Sequence, residues 1–318
     1  MPSRRQAGML LLLSWVFTSP TRAADLDQDL LKAVVNGRTN DVAELLTKGA
    51  NINARDAYGS TPLLLALAGR HPETVKLLVS RHPALNVRNN LGLSPLVLAF
   101  SIGDNASLSL LLSNGADVDA RDPEFGATLL FGAAVAGNDV AVEMLLTHGA
   151  DVNGKRTSDG ATPLIGAASA GKSRTMKALL KHGADVKIAN SEGTTALHHA
   201  VLHGDRDGVA SLLAKGANVN AALTDGGTPL LIGAKEGHTA IVGALLAVGA
   251  TVDARTEDGS TALLWATYNR HLDIIGMLCA KKADVNVSNN QGITPLQIAK
   301  RKRDSELAAI LVRFGASR

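Results

Sequence analysis

Apolar and polar positions along this chain form a block that repeats about every 33 residues. The clearest copy runs from Asp225 to Ala254. In this copy Thr228 can cap a helix through its hydroxyl, and Pro229 suits a first helical position, where no amide hydrogen is needed. The pattern predicts a short helix that ends near Gly237. A second helix with one mostly apolar face should follow and end at Gly249, because glycine adopts a left-handed backbone at little cost.

The other copies align on the proline of this helix start and on the glycine after the second helix. The helix starts are Pro62, Pro95, Leu129, Pro163, Ala196, Pro229, Ala262 and Pro295. The second-helix ends are Gly49, His82, Gly115, Gly149, Gly183, Gly216, Gly249, Lys282 and Gly315. Two helices of about ten residues are marginal alone in water, so each copy needs neighbours. The sequence therefore predicts a stacked solenoid of nine units. The predicted units span residues 25–55, 56–88, 89–121, 122–155, 156–189, 190–222, 223–255, 256–288 and 289–318.

The repeated motif is specific enough to indicate a family. Its period of 33, its D-G-x-T-P-L helix start and its G-A-D-V-N turn resemble the ankyrin repeat over residues 24–318. The motif copies include GSTPLLLA at Gly59, GTTALHHA at Gly193, GSTALLWA at Gly259 and GITPLQIA at Gly292. The resemblance implies an all-α ankyrin-repeat solenoid that binds proteins through its hairpin tips and the inner face of each first helix. It also implies that His198 ties neighbouring turns, and that His238 and His271 are turn histidines between helices.

Residues 1–23 have the features of a secretory signal peptide. Two arginines precede an apolar run from Met9 to Phe17, and small residues precede a cleavage site ahead of Ala24. The run is shorter than the roughly 20 residues that cross a bilayer, so we expect no membrane span after the leader is removed. We therefore expect export to the periplasm or the secreted space. The arginine pair leaves twin-arginine export as an alternative to ordinary export.

Charge and cysteine content narrow the function classes. Three arginines within residues 1–23 account for the formal net charge of +3, so the remaining chain is formally neutral. This removes the bulk support for nucleic-acid binding, and the basic run Lys300–Arg303 is better interpreted as a solvated end face than as a nucleic-acid patch. Cys279 is the only cysteine, which excludes an intramolecular disulfide. Its place in an apolar helix predicts a buried, inert thiol instead of a redox or catalytic one.

Candidate partner-binding residues follow from the hairpin and inner-helix positions of each copy. The N-terminal set is apolar and basic and comprises Tyr58, Leu91, Leu93, Phe125, Arg55, Arg88 and Arg121. The C-terminal set is mainly charged and comprises Asp159, Glu192, Asp225, Lys235, Glu236, Asp258 and Tyr268. Exposed aromatic residues near arginine are typical anchors of protein interfaces. We therefore expect a protein or peptide partner with an acidic, partly apolar segment and a basic one. The alternative is that Tyr58 and Phe125 pad neighbouring hairpins.

Metal and catalytic interpretations have less support. His199 and His203 are four residues apart on a first helix, but zinc normally takes four ligands and the sequence offers no third one beside them. The acids Asp117, Asp119 and Asp122 fit turn chemistry better than a calcium loop. The sequence contains no nucleophile elbow, P-loop, dinucleotide fingerprint or H-E-x-x-H motif. We expect no metal, no cofactor and no catalysis.

Three classes of function remain open. The first is a monomeric, non-enzymatic interaction scaffold of a bacterial cell envelope or of the secreted space, favoured by the short leader, the alanine-rich composition and the absence of disulfides. The second is a secreted effector that acts on the proteins of another organism. The third is an enzyme with an unrecognised site in the groove. None of these readings names the bound partner.

Overall fold

The computed structural model describes the backbone of residues 19–317 and the side chains of residues 24–317. Within this part the chain forms nine helix pairs and no strand, and an isolated antiparallel bridge joins Arg121 to Thr128. The prediction of an all-α repeat fold is thus confirmed. The predicted leader lies mostly outside the described residues, and the first helix begins at Ser19, ahead of the predicted cleavage site.

The helices are numbered here α1 to α18 in chain order and alternate between first and second helices of each pair. The first helices are α1 (Ser19–Val35), α3 (Pro62–Ala68), α5 (Pro95–Ser101), α7 (Leu129–Ala136), α9 (Pro163–Ser169), α11 (Ala196–Leu202), α13 (Pro229–Glu236), α15 (Ala262–Tyr268) and α17 (Pro295–Arg301). The second helices are α2 (Thr39–Thr47), α4 (Pro72–Ser80), α6 (Asn105–Ser113), α8 (Asp139–Thr147), α10 (Ser173–Lys181), α12 (Arg206–Ala214), α14 (Thr239–Ala247), α16 (Leu272–Ala280) and α18 (Ser305–Arg313). Among these helices none is long and apolar enough to cross a membrane.

The helix boundaries follow from the capping residues of the repeat. All eight first helices from α3 onwards begin at the position predicted from the alignment. In α13 the hydroxyl of Thr228 accepts a hydrogen bond from the Leu231 amide at 3.4 Å, while Pro229 occupies the first helical position. Helix α13 ends at Glu236, and the residue that caps it, Gly237, has a φ of 80°. These observations confirm the expected boundaries of this copy.

A left-handed residue follows every second helix at the predicted position. Seven of the nine are glycine, and the other two are His82 with a φ of 53° and Lys282 with a φ of 65°. A side chain at positive φ costs some free energy, because its Cβ crowds the backbone. The surrounding fold therefore stabilises the left-handed conformation at this position enough to impose it on His82 and Lys282.

The described residues divide into two compact units. The first covers residues 19–129 with 147–150, and the second covers 130–146 with 151–317. In the first unit, α1, α3 and α5 pack in order on one another, and α2, α4 and α6 do the same. In the second unit the corresponding rows are α9 to α17 for first helices and α10 to α16 for second helices. The apolar faces between the rows are buried, as at Leu64, Leu78, Leu197 and Leu212.

Side chains in six of the G-A-D-V-N turns tie one repeat to the next. In these six the fifth residue of the turn accepts a hydrogen bond from a backbone amide in the turn of the following repeat. The bonds in the first unit are Ala84 N to Asn53 Oδ1 and Asp117 N to Asn86 Oδ1. Those in the second unit are Asp185 N to Asn153, Thr251 N to Asn220, Asp284 N to Asp253 and Ser317 N to Asn286. They satisfy backbone amides of the turns that follow the second helices.

Candidate functional site

The hairpin that precedes each first helix presents one residue at its tip. In the first unit the tip residues are the apolar Tyr58, Leu91 and Phe125. In the second unit they are the polar Asp159, Glu192, Asp225, Asp258 and Gln291. All eight stand 33 or 34 residues apart, so they occupy one position of the repeat.

In the first unit the turn is made by a residue that precedes the tip. Asp56 Oδ1 accepts hydrogen bonds from the amides of Tyr58 (2.9 Å) and Ser60 (2.7 Å). In the next repeat Asn89 Oδ1 accepts in the same way from the amides of Leu91 and Leu93, both at 3.0 Å. This is the Asx turn, in which a short polar side chain replaces a backbone acceptor. The side chain at the tip itself is not required for it.

The tip side chains of the first unit are correspondingly open to solvent. Tyr58 is 71% exposed, Leu91 70% and Phe125 54%. The backbone amide of Phe125 is bonded to Asp122 Oδ1 at 2.7 Å, so its hairpin uses the same turn chemistry. Leu93, on the helix side of its hairpin, is half-buried. Large apolar residues at consecutive tips form an exposed apolar row, defined here as Tyr58, Leu91 and Phe125.

In three hairpins of the second unit the tip residue makes the turn itself. The bonds are Ala161 N to Asp159 Oδ1 (3.0 Å), Gly227 N to Asp225 Oδ1 (2.8 Å) and Ser260 N to Asp258 Oδ1 (3.0 Å). In these hairpins Arg156, Leu223 and Thr256 occupy the position that holds Asp or Asn elsewhere. The aspartate at the tip therefore supplies the acceptor that its hairpin would otherwise lack.

Two of these aspartates are also bonded to neighbouring side chains. The Arg156 guanidinium forms an ion pair with Asp159, and this hydrogen bond lowers the pKa of the Asp159 carboxyl. Hydrogen bonds from the Thr256 hydroxyl, the Ser260 amide and the Ser260 hydroxyl lower the pKa of Asp258. The carboxylates of Asp159 and Asp258 are thus paired with donors of their own hairpins. At the fourth acidic tip, Glu192, the acceptor for the turn is Asn190, as in the first unit.

Two of the three predicted arginines donate hydrogen bonds to backbone carbonyls of the hairpins. Arg88 is exposed, yet its Nη1 donates to the carbonyl of Gly92 at 3.0 Å and to that of Arg121 at 3.1 Å. The half-buried Arg121 donates from Nη1 to Gly126 O at 2.6 Å. Arg55, in the preceding repeat, is exposed. Arg88 and Arg121 thus have a structural role that their spacing in the sequence does not reveal.

A pocket of about 350 Å³ opens between α15 and α17 of the second unit. Trp265 and Tyr268 line one side, with ring centroids 6.1 Å apart and an interplanar angle of 79°. Tyr268 is 55% exposed, and Asp258 lies on the wall. Lys235 and Glu236 are both exposed at the end of α13, and Lys235 Nζ lies 4.9 Å from the centroid of the Trp265 ring.

Sequence reasoning missed Trp265 because it considered only the last residues of each first helix. Trp265 stands three residues before Tyr268, so the two share one face of α15. Earlier repeats have Gly132 and Gly166 at the Trp265 position. A comparison of this position between copies would have found the tryptophan.

A family model described as "Ankyrin repeats (3 copies)" matches residues 30–122, 130–222 and 221–289, which together make up well over half of the chain. The chain belongs to the ankyrin-repeat family. Ankyrin repeats are in general protein–protein interaction modules, and the family is typically non-enzymatic. A search of curated proteins found no match to this ankyrin-repeat protein.

The buried His198 has the bridging role that the ankyrin resemblance implied. Its Nδ1 lies 3.1 Å from the Thr195 amide nitrogen and 2.9 Å from the Thr195 hydroxyl, and its Nε2 lies 3.1 Å from Ala221 O. Burial lowers the pKa of this imidazole to about 4. His198 is therefore neutral at pH 7 and connects α11 to the turn that follows α12.

Three further histidines of these ankyrin repeats, His203, His238 and His271, lie within hydrogen-bond distance of backbone carbonyls. His238 Nε2 lies 3.3 Å from Leu202 O, and His271 Nε2 lies 3.1 Å from Lys235 O, which confirms both as turn histidines. His203 Nε2 lies 2.9 Å from Ser169 O, so this ring is engaged away from His199. In residues 24–317 no group of three or more His, Cys, Asp or Glu side chains is arranged to hold a metal ion.

The remaining candidates for chemistry are explained by local structure. Asp117 Oδ1 accepts from the Asp119 amide, and Asp122 accepts from the amides of its own hairpin, as expected for turn acids. Cys279 is half-buried, where full burial had been expected. Burial raises the pKa of its thiol to about 11, so the reactive thiolate is scarce at neutral pH.

Proposed function

We propose that this ankyrin-repeat protein is an exported, non-enzymatic scaffold of the cell envelope or secreted space that binds a protein or peptide through its hairpin tips and first helices. The observation that carries the proposal is the exposed apolar row of the first unit. Tyr58, Leu91 and Phe125 are each more than half exposed, although large apolar side chains gain free energy from burial.

The turn geometry supports a binding role for this row over the padding alternative. Asp56 and Asn89 supply the acceptors that hold their hairpins, so Tyr58 and Leu91 are not needed for the turn. Their exposure also leaves most of their surface outside any contact with a neighbouring hairpin. Aromatic side chains bury a large area at low entropic cost, which suits them to anchor a partner.

Export is proposed from the sequence of residues 1–23. The arginines, the short apolar run and the small residues before Ala24 fit a cleaved leader. A body without disulfides, stabilised by packing, is compatible with this route, since folding then depends on no oxidation step.

Cross-linking in the cells that naturally express the chain tests the binding proposal. Wild-type protein should yield a cross-linked protein partner that mass spectrometry identifies. The double variant Tyr58→Ala with Phe125→Ala should lower the yield of that partner by about tenfold or more, because truncated anchor residues dominate binding energy. The matched control is Val140→Ala with Val248→Ala, which removes comparably exposed apolar groups from a second helix and the turn after one.

Two outcomes would count against the proposal. One is a partner recovered equally from wild type and from the Tyr58/Phe125 variant, which would place binding elsewhere. The other is the absence of any cross-linked partner. Cell fractionation tests localisation separately, since deletion of residues 1–23 should move the protein from the exported fraction to the cytosol.

A further inference from the structure

We propose that the pocket between α15 and α17 holds an apolar side chain of an extended peptide segment that carries carboxylates beside it. The inference rests on the proposed binding function and specifies the partner chemistry at one site. It concerns the second unit, remote in sequence from the apolar row, and needs no residue of the first unit.

The floor of the pocket is apolar. Leu264, Val287 and Ile298 form a buried cluster, and Ile293 packs against it. Leu264, Ile293 and Ile298 all reach the pocket surface. A volume of about 350 Å³ falls within the range of ligand pockets and accommodates one large side chain. Burial of a phenylalanine or leucine here would remove apolar surface from water on both partners.

The aromatic wall is held in place by two lysines. Lys235 Nζ lies over the Trp265 ring, and Lys302 Nζ lies 4.3 Å from the centroid of the Tyr268 ring. Lys302 also donates to the carbonyl of Tyr268. Such cation–π contacts fix the ring faces, and Lys302 is itself part of the pocket lining. An ammonium group has three donors, so each lysine retains donors for a further acceptor.

Two cations of the pocket lining, Arg301 and Lys302, and Lys235 beside the Trp265 ring lack an acidic partner. All three are exposed, and within residues 24–317 none of them forms an ion pair with a carboxylate. Arg270, also on the α15 side, is different, because its guanidinium is paired with Asp304 and Glu306. The fold therefore pairs Arg270 with carboxylates and leaves Lys235, Arg301 and Lys302 able to bind an acidic ligand.

The acidic residue of the pocket lining does not cancel this charge. Asp258 accepts hydrogen bonds from Thr256 and Ser260 through both carboxylate oxygens, so its charge is directed into its own hairpin. Two lining cations, with Lys235 beside Trp265, against one internally bonded carboxylate favour an acidic ligand over a basic one. The apolar floor requires that the ligand also carry an apolar side chain. The cations and the apolar floor together therefore favour a peptide that is both acidic and apolar.

Tryptophan fluorescence offers a direct test. Trp15 and Trp265 are the only tryptophans, so full-length protein with Trp15→Phe reports on the pocket alone. The probe is an acetylated and amidated octapeptide with one central phenylalanine flanked by glutamate and aspartate. It should change the Trp265 emission and bind with a Kd on the order of 100 µM. Peptides with lysine in place of the acids, or alanine in place of phenylalanine, should bind at least about tenfold more weakly.

A charge-matched pair of variants tests the lining cations. In the Trp15→Phe background, Arg301→Gln with Lys302→Gln should weaken binding of the acidic peptide by about tenfold. Arg206→Gln with Lys215→Gln removes the same charge from exposed positions of α12 and its C-terminal end and should leave binding within about twofold.

Three results would overturn the inference. These are no emission change with the acidic peptide, equal binding of the lysine peptide, or equal weakening by the two pairs of variants. If the cross-linked partner persists while the acidic peptide fails to bind, this inference alone is wrong. If no partner is cross-linked at all, the binding function itself fails, whatever the titration shows.

Discussion

The hairpins of the two units make the same backbone turn with different side chains. In the first unit Asp56 and Asn89 precede the tip and accept the turn amides, and the tips are Tyr58 and Leu91. In three hairpins of the second unit the tip is an aspartate that accepts the amide itself. An exposed residue at one repeat position thus has a structural role in some copies and is open to selection for binding in others.

Which residue accepts the turn amide depends on whether Asp or Asn precedes the tip, and not on which unit contains the hairpin. Two hairpins of the second unit have Asn190 and Asn289 ahead of the tip, and both asparagines accept the turn amides. Their tips are Glu192 and Gln291, neither of which is an aspartate. Where Asp or Asn precedes the tip, the tip side chain varies. Where neither does, the tip is Asp159, Asp225 or Asp258.

The largest expected difference between the units is their response to acid. The pKa of His198 is about 4 in the folded second unit, against about 6.5 in an unfolded chain. Below pH 6.5 the unfolded state binds the proton first, so stability falls with pH down to about 4. The total loss from this group is about 3 kcal/mol. Urea unfolding at pH 7 and pH 4, with hydrogen exchange to locate the loss, measures it.

The chain itself supplies the control for this prediction. In the last repeat Gln297 holds the His198 position, and its Oε1 accepts from the Thr294 amide at 3.1 Å. His198→Gln should therefore keep the helix cap and remove the titration, although His199, whose pKa burial also lowers, remains. The first unit has Leu64 and Val97 at this position and should not share the loss. An equal acid response in wild type and His198→Gln would disprove the assignment.

The next effect tests the turn rule itself. Asp258→Ala removes the acceptor of the Ser260 amide and should cost about 1–2 kcal/mol in unfolding free energy. Adding Thr256→Asn should restore most of this loss, because Asn89 and Asn190 make the same turn from that position. Chemical denaturation of Asp258→Ala, Thr256→Asn and the double variant gives the unfolding free energies for this double-mutant cycle. If the second substitution gave no recovery, the two hairpin types would not be interchangeable.

A smaller effect is expected from the arginine that braces the first unit. Arg88→Met keeps the aliphatic stem and removes two hydrogen bonds, one to a carbonyl of its own hairpin and one to a carbonyl of the next repeat. Since Arg88 is exposed and water can replace it, the cost should be about 0.5 kcal/mol. Arg255 in the second unit makes a single longer bond of 3.4 Å to Ser288 O, so Arg255→Met should cost less. Thermal unfolding measures both losses. A larger loss of stability for Arg255→Met than for Arg88→Met would contradict the bracing role of Arg88.

The smallest effect should come from the exposed tip of the first unit. Tyr58→Ala should change the unfolding free energy by less than about 0.5 kcal/mol, because Asp56 holds the turn. Asp56→Ala is the matched comparison and should cost about 1–2 kcal/mol, since two amides lose their acceptor. A Tyr58→Ala loss as large as that of Asp56→Ala would show that the tyrosine pads its neighbours.

The fold was predictable because its signals are local and repeat in phase. Thr228, Pro229 and Gly249 act within a few residues of themselves, and seven further helix starts and eight further second-helix ends confirm their spacing. The candidate surface was less predictable. Whether Asp225 binds a partner or its own hairpin depends on a neighbour at Leu223, and Arg88 reaches the following repeat. Such contacts depend on side-chain directions that spacing alone does not fix.

The side chains that tie successive turns have a mechanical consequence. Each accepted amide joins one repeat to the next, so separating two such repeats requires breaking this hydrogen bond. In the repeat that ends at Gly183 the accepting position is Lys187, and a lysine side chain has no acceptor. The joint between the Lys187 turn and the Asn218 turn therefore lacks this tie. We expect the second unit to part first at that joint under load.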